Sequence, residues 1–198
     1  MNLKQVVATL FLTAGVSVSA QAGLVGVKTI TVQNAIGQWL QVAEVAALDM
    51  SSTNVALASN GATATAPDTW DAASTPAKAI DGITAGSYSL GQIFHEGSPL
   101  TNDTLTITLA SVEELLSIQI WGRTDCCSER DIYNVSFLDA TGGLLHAMRL
   151  DATGTSHTAF ANLPNTAQQV PEPASLALVG LGMLGLFATR RAARRSGA

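Results

Sequence analysis

Leu105-Thr-Ile-Thr-Leu109 and Leu116-Ser-Ile-Gln-Ile120 decide the fold class of this chain. Each alternates apolar and polar residues, which sends successive side chains to opposite faces of an extended strand. Leu40-Gln-Val42 and Val135-Ser-Phe137 repeat the pattern. Turn-forming clusters such as Asn60-Gly61 and Asp139-Ala-Thr-Gly142-Gly143 separate the runs. Ser111 to Leu116 alone hints at a helical turn. Short strands broken by turns over this length predict an all-β domain, an antiparallel β-sandwich of jelly-roll type. No internal repeat is visible.

Outward from these strands, both ends read as signals. Lys4 opens a short positive segment, Val6 to Val18 is mostly apolar, and Ala20-Gln21-Ala22 has the small-x-small form of a cleavage site. Residues 1–22 are therefore expected to be a secretory signal helix. Near the C-terminus, Val170-Pro171-Glu172-Pro173 precedes an apolar run from Ala174 to Ala188, then Arg190, Arg191, Arg194 and Arg195. Proline biases the preceding residue to extended chain, so a helix is expected from about Pro173. The run is short for a transmembrane helix of about 20 residues, and snorkelling arginines lengthen it. Clustered arginines favour the cytoplasmic side and leave the middle of the chain outside. Gly180-x-Gly182-x-x-Gly185 matches a dinucleotide fingerprint, but no strand or phosphate-facing turn precedes it. Residues 154–169 are mostly small and polar and read as a linker between a domain at 23–153 and the terminal segment at 170–195.

Pro-Glu-Pro, apolar run and arginines, in that order, resemble the PEP-CTERM sorting signal of exported proteins in Gram-negative bacteria that make exopolysaccharide. The resemblance implies exosortase-type machinery as a partner, with a cut near Pro171, Glu172 and Pro173. It also implies transient anchoring in the inner membrane through the C-terminal helix, then delivery to the cell surface or extracellular matrix.

The whole chain carries 10 Lys and Arg against 15 Asp and Glu, a net charge of -5. Half of the cations lie in the end segments. The middle keeps Lys28, Lys78, Arg123, Arg130 and Arg149 against all the acids but Glu172. Nucleic-acid binding by counterion release needs a basic face, so nucleic acid is excluded as a partner. Two of the remaining cations flank the run Arg123-Thr-Asp-Cys-Cys-Ser-Glu-Arg130, which also holds both cysteines of the chain.

Cys126 and Cys127 are neighbours, with Cα atoms about 3.8 Å apart, which is shorter than and outside the usual disulfide separation of roughly 4.4–6.8 Å. A bond between them closes no loop and contributes almost nothing through chain entropy. Export supplies the oxidising compartment in which it persists. Its expected value is local, as a rigid apolar plate with a guanidinium on each side.

Arginine, aspartate, the cysteine pair, glutamate and arginine at this spacing resemble the F-type lectin (fucolectin) motif, within the wider discoidin-like, galactose-binding-like family. There a histidine precedes R-x-D-x-C-x-E-R, as His95 precedes Arg123 here. Asn54-Val-Ala-Leu57 and Ala79-Ile-Asp81-Gly82 extend the likeness over roughly Trp39 to Gly143. The resemblance implies that His95, Arg123 and Arg130 bind the hydroxyls of a fucose-like sugar. It implies that the Cys126–Cys127 plate packs on the ring carbons and that Tyr88 lines the methyl pocket. Charge-assisted hydrogen bonds of this kind are worth roughly 1.5–3 kcal/mol each. Asp125 and Glu129 are expected to orient the arginines. The competing reading is a surface ion network among Arg123, Arg130, Asp125, Glu129 and Asp131. The family's tryptophan-bearing strand after the histidine is absent, and Glu96 is an added acid.

The same resemblance implies one structural Ca²⁺ ion, which takes about six to eight oxygens. Asp81 and Glu44, in Leu40-Gln-Val-Ala-Glu44-Val45, match the expected carboxylates, with carbonyls from Lys78 and Ile83 and a further oxygen at Gln92. Glu44 lies at the opposite end of the domain from its usual place, which implies a permuted strand order. The function implied is an exported carbohydrate-binding, lectin-like module for fucose-like or other extracellular glycans. The alternative is a non-enzymatic discoidin-like matrix or adhesion protein that has lost sugar binding. G-x-S-x-G and H-E-x-x-H are absent and two cysteines cannot make a Cys₄ zinc site, so the chain is not expected to be an enzyme.

Overall fold

The computed structural model describes residues 23–98 and 103–166. In chain order the strands are β1 (Leu24–Asn34), β2 (Gln41–Val42), β3 (Glu44–Asp49), β4 (Thr63–Thr65), β5 (Phe94–His95), β6 (Leu105–Trp121), β7 (Ile132–Leu138), β8 (Leu144–Asp151) and β9 (Thr158–Asn162). Three short 3-10 turns, Ala58–Asn60, Pro76–Ile80 and Ser128–Arg130, complete the elements. The domain is all-β with antiparallel pairing, in a sandwich-like arrangement.

Both alternating runs that opened the sequence belong to one strand, β6. Its first part lies between β1, with Thr29 opposite Thr108, and β4, with Thr63 opposite the same residue. Its last part lies between β3, with Glu44 opposite Trp121, and β9, with Thr158 opposite Trp121. The path of the sheet is β3-β6-β1-β7-β8. A second, two-stranded sheet pairs β2 with β5, setting Gln41 opposite His95. Leu105, Ile107 and Leu109 turn inward from β6 to meet Ile30, Val32, Val135, Phe137 and Phe94 in one core. Burying each such side chain contributes about 1.5–3 kcal/mol.

Two expectations change here. Ser111–Leu116 lies inside β6 and is not helical. The β1–β6 register shifts twice between Val25 and Thr29, and Lys28 Nζ bonds the Leu109 and Ala110 carbonyls at 2.6 and 3.0 Å. The broken apolar alternation is thus a bulge, where an inserted residue shifts the phase of the strand. Within the expected linker at 154–169, the described residues are not simply a spacer, because β9 pairs along β6 with Ala159 buried, and Leu163 just after it is buried too. Their small side chains carry little hydropathy signal, so the strand reads as polar spacer. The domain therefore runs past 153.

The two ends of the described domain meet. Thr166 N–H donates to the Gly23 carbonyl at 3.3 Å, and Val25 N–H donates to Thr166 Oγ1 at 3.1 Å. Residues 1–22 and 170–195, expected to carry the signal and membrane helices, lie outside the described residues. Among the described residues no helix is long and apolar enough to cross a membrane.

Candidate functional site

His95 ends β5, and its backbone draws three segments together. Trp70 N–H donates to the His95 carbonyl at 2.9 Å, and His95 N–H donates to the Ser74 carbonyl at 3.2 Å. On the other side, Glu96 N–H donates to the Leu40 carbonyl at 3.0 Å, while Leu40 N–H donates to Glu96 Oε1 at 2.7 Å. Trp39 and Trp70 thereby arrive beside the imidazole, at centroid distances of 5.2 and 5.6 Å, with Tyr88 at 5.7 Å. The two tryptophans meet edge to face at 5.1 Å, an arrangement the ring quadrupoles favour. Trp70 is 53% exposed, whereas His95 is only 6% exposed.

The His95 nitrogens are already engaged. Nδ1 lies 2.7 Å from the Glu96 carbonyl, which can only accept, so Nδ1 carries the proton. Nε2 then accepts from the Gln41 side-chain amide at 2.9 Å. Burial holds the imidazole pKa below its ordinary value, the Glu96 carbonyl opposes that, and the nearby charges of Arg123 and Arg130 push it down further. His95 is thus a neutral ring under an aromatic cluster, with both polar atoms bonded inside the protein.

Arg123 follows β6 and is fixed by three contacts. Its backbone N–H donates to Asp131 Oδ2 at 2.9 Å, and its Nε donates to Asp125 Oδ1 at 2.6 Å. The guanidinium carbon lies 4.7 Å from the centre of the Tyr88 ring. Tyr88 is itself held by its hydroxyl, which donates to Asp71 Oδ2 at 2.8 Å. Asp125 Oδ2 accepts from Ser89 N–H at 3.0 Å and Ser87 Oγ at 3.1 Å. Burial alone would raise the Asp125 carboxyl, but these hydrogen bonds and the Arg123 charge outweigh it and hold the pKa well below the carboxylate range. Asp125 thus holds Arg123 through Nε, and the terminal Nη groups of Arg123 have no hydrogen-bond partner among the described residues.

The cysteine pair is bonded, Cys126 to Cys127, with Cα atoms 3.8 Å apart. Cys126 is exposed. Cys127 takes a left-handed φ of 61°, which turns the chain into the Ser128–Arg130 segment. Arg130 Nε lies 3.5 Å from the exposed Glu129 carboxylate, a loose pair. Asp131 is fully buried behind this loop, and burial pushes its carboxyl up to about 7 against the hydrogen bond that its Oδ2 accepts from the Arg123 N–H. The ion-network reading therefore holds for Arg123–Asp125 and, loosely, for Arg130–Glu129. Asp131 instead serves the backbone.

The expected metal residues gather only in part. Glu44 is 2% exposed, its Oε2 accepts from Gly82 N–H at 3.0 Å, and its Oε1 is buried without a hydrogen-bond partner. Burial, opposed by that bond and reinforced by the Asp81 charge, raises Glu44 to about 8. Asp81 Oδ1 accepts from Ile83 N–H at 2.9 Å, and Lys78 Nζ stands 3.7 Å from Asp81 Oδ2. Gln92 is used elsewhere, with its Oε1 accepting from Ser87 N–H at 3.4 Å. Among the described residues no three His, Cys, Asp or Glu side chains stand together as a ready metal site. The orphaned Glu44 oxygen beside a second carboxylate fits a hard cation, and the Lys78 ammonium offsets part of the same charge.

Trp39, Trp70 and Asp71 were not among the sequence-read site residues. The chain has three tryptophans, and scarcity was the available signal. What conceals them is that they reach His95 from two loops, not from the strand after it.

Residues 169–195 match the PEP-CTERM protein-sorting motif. No curated protein and no solved structure matches the chain. The motif marks the chain for export through exosortase-type sorting, with membrane-associated processing of the kind found in Gram-negative bacteria.

Proposed function

We propose that this domain is a carbohydrate-binding, lectin-like module of jelly-roll, discoidin-like type, without catalytic activity, carried by its sorting signal to the cell surface or matrix. The observation that carries this reading is the cluster of Trp39, Trp70 and Tyr88 around His95, beside an Arg123 guanidinium with unengaged Nη groups. A sugar offers an apolar ring face to Trp70 and the Cys126–Cys127 plate. Its hydroxyls accept from Arg123 and Arg130, and Tyr88 and Trp39 close the apolar side. A fucose-like sugar is the first candidate by resemblance, within a fucosylated or related exopolysaccharide. Ca²⁺ is the proposed structural ion, held by Glu44 and Asp81 with backbone carbonyls near Lys78 and Ile83. When bound, it supplies the positive charge that keeps Glu44 ionised. Single sugar sites are weak, so useful avidity comes from many displayed copies.

A glycan array with the exported protein tests this, alongside Trp70→Ala and Arg123→Ala. The expected result is glycan-dependent signal lost by more than tenfold in both variants. No signal on any glycan, or a signal that both variants keep, removes the proposal. One observation favours a second reading, a discoidin-like adhesion module without sugar binding. Both His95 nitrogens are bonded within the protein, so that residue offers a ligand no hydrogen bond.

A further inference from the structure

Gly23 N–H donates to Glu114 Oε1 at 2.8 Å. Gly23 is buried immediately before β1, with its carbonyl taking the Thr166 N–H. A Cβ there would lie 2.3 Å from the Leu115 carbonyl oxygen, so the position admits glycine alone. The residues before it, Ala20-Gln21-Ala22, have the small-x-small form that signal peptidases cut. The Glu114 carboxylate meets a neutral N–H here, whereas an ionised donor makes a shorter and stronger bond to a carboxylate. It is a natural acceptor for a chain terminus.

We infer that Glu114 is a socket for the mature N-terminus, created when the leader is cut between Ala22 and Gly23. Water adds across that peptide bond, leaving a carboxyl on Ala22 and an amine on Gly23, which takes a proton at neutral pH. The single amide donor becomes an ammonium with three, and a neutral hydrogen bond becomes a charge-assisted one. Glu114 sits on β6, between β1 and the return of the chain at Leu163 and Thr166, so the new charge is pinned where first strand and last segment meet. Export is then coupled to completion of the fold: the precursor has the hydrogen bond, and the processed protein has the ion pair.

The test uses the full chain exported from a Gram-negative host. Intact mass and N-terminal sequencing are expected to place the mature start at Gly23. The α-amine, titrated by pH-dependent reductive methylation, is expected above the ordinary α-amino range of about 7.7–8.0, because an adjacent carboxylate favours the charged form. At pH 7 it should label roughly three- to tenfold more slowly than in Glu114→Gln, which keeps the acceptor oxygen and removes the charge. A different mature start overturns the inference, and so does an α-amine at or below its ordinary pKa. Equal labelling in Glu114→Gln overturns it as well. The wild-type titration decides the matter even where the variant fails to fold.

Discussion

The Arg123 guanidinium lies 4.7 Å from the centre of the Tyr88 ring, over a side chain that is itself tied down through Asp71. This stack orients the guanidinium, so in the proposed sugar site Tyr88 would act through two separable contacts. Tyr88→Phe keeps the ring and loses the hydroxyl bond, whereas Tyr88→Leu loses both. A cation–π contact at a partly exposed site is worth about 0.5–1 kcal/mol. With the misdirected guanidinium added, Tyr88→Leu should weaken glycan binding about tenfold, and Tyr88→Phe no more than about threefold. Calorimetry on the strongest array ligand measures both.

The Cys126–Cys127 bond closes no loop, and Cys126 is exposed. Replacing both residues by serine should change unfolding free energy by under about 1 kcal/mol. The same double variant should bind glycan several-fold more weakly, because the apolar plate is gone. Urea unfolding and calorimetry on one preparation separate the two effects. A large stability loss would show that the bond is a fold determinant.

Glu96 is 1% exposed, and burial raises it to about 7 from 4.5, against the Leu40 N–H bond and with the charges of Asp103 and Asp68 adding to the rise. Between those values the folded protein holds a proton that the unfolded chain has released, so rising pH favours unfolding. The contribution is fully present below about pH 4.5 and is lost as pH climbs through 7. Asp131, raised to about 7, acts in the same direction. Unfolding free energy should therefore fall from pH 5 to pH 8. Glu96→Gln, which keeps an acceptor for Leu40, should flatten that fall by up to about 3 kcal/mol.

Calcium should stabilise the domain through Glu44. Free ion at about a hundred times its Kd is worth about 2.7 kcal/mol, visible as a higher thermal midpoint at pH 8. Glu44→Gln should abolish the calcium increment, and magnesium, which demands tighter octahedral geometry, should not replace it. An unchanged midpoint in calcium removes the ion from this fold.

Gly122 joins β6 to Arg123, and a Cβ there would sit 2.1 Å from Asp131 Oδ2. Gly122→Ala must displace the carboxylate that accepts the Arg123 N–H. A loss of more than about 2 kcal/mol is expected, with glycan binding falling in whatever fraction still folds. Chemical denaturation measures the first and array signal the second.

The strands were legible where alternation was regular, as at Leu105–Leu109, Leu116–Ile120 and Val135–Phe137. They were illegible where bulges shift the phase, as near Val112, and where small residues fill a strand, as at Ala159 and Ala161. At the site, Arg123, Asp125 and the cysteines are close in sequence and could be read as one unit. Trp39 and Trp70 could not, since backbone hydrogen bonds from Leu40 and His95 bring them together across long loops. Glu96 read as an added acid beside the site, yet its carboxylate turns inward to hold Leu40.

Gly23 and Thr166 lie side by side, so the leader and the sorting tail join the domain at one place. Leu24 stands opposite Leu115 on β6, and the candidate site begins beyond Trp121 at the far end of that strand. Six residues of strand at about 3.3 Å each set the two roughly 20 Å apart. The length of β6 therefore separates the point where both end segments join the domain from the proposed site, so processing at the tail and binding at the aromatic cluster take place at opposite ends of one strand.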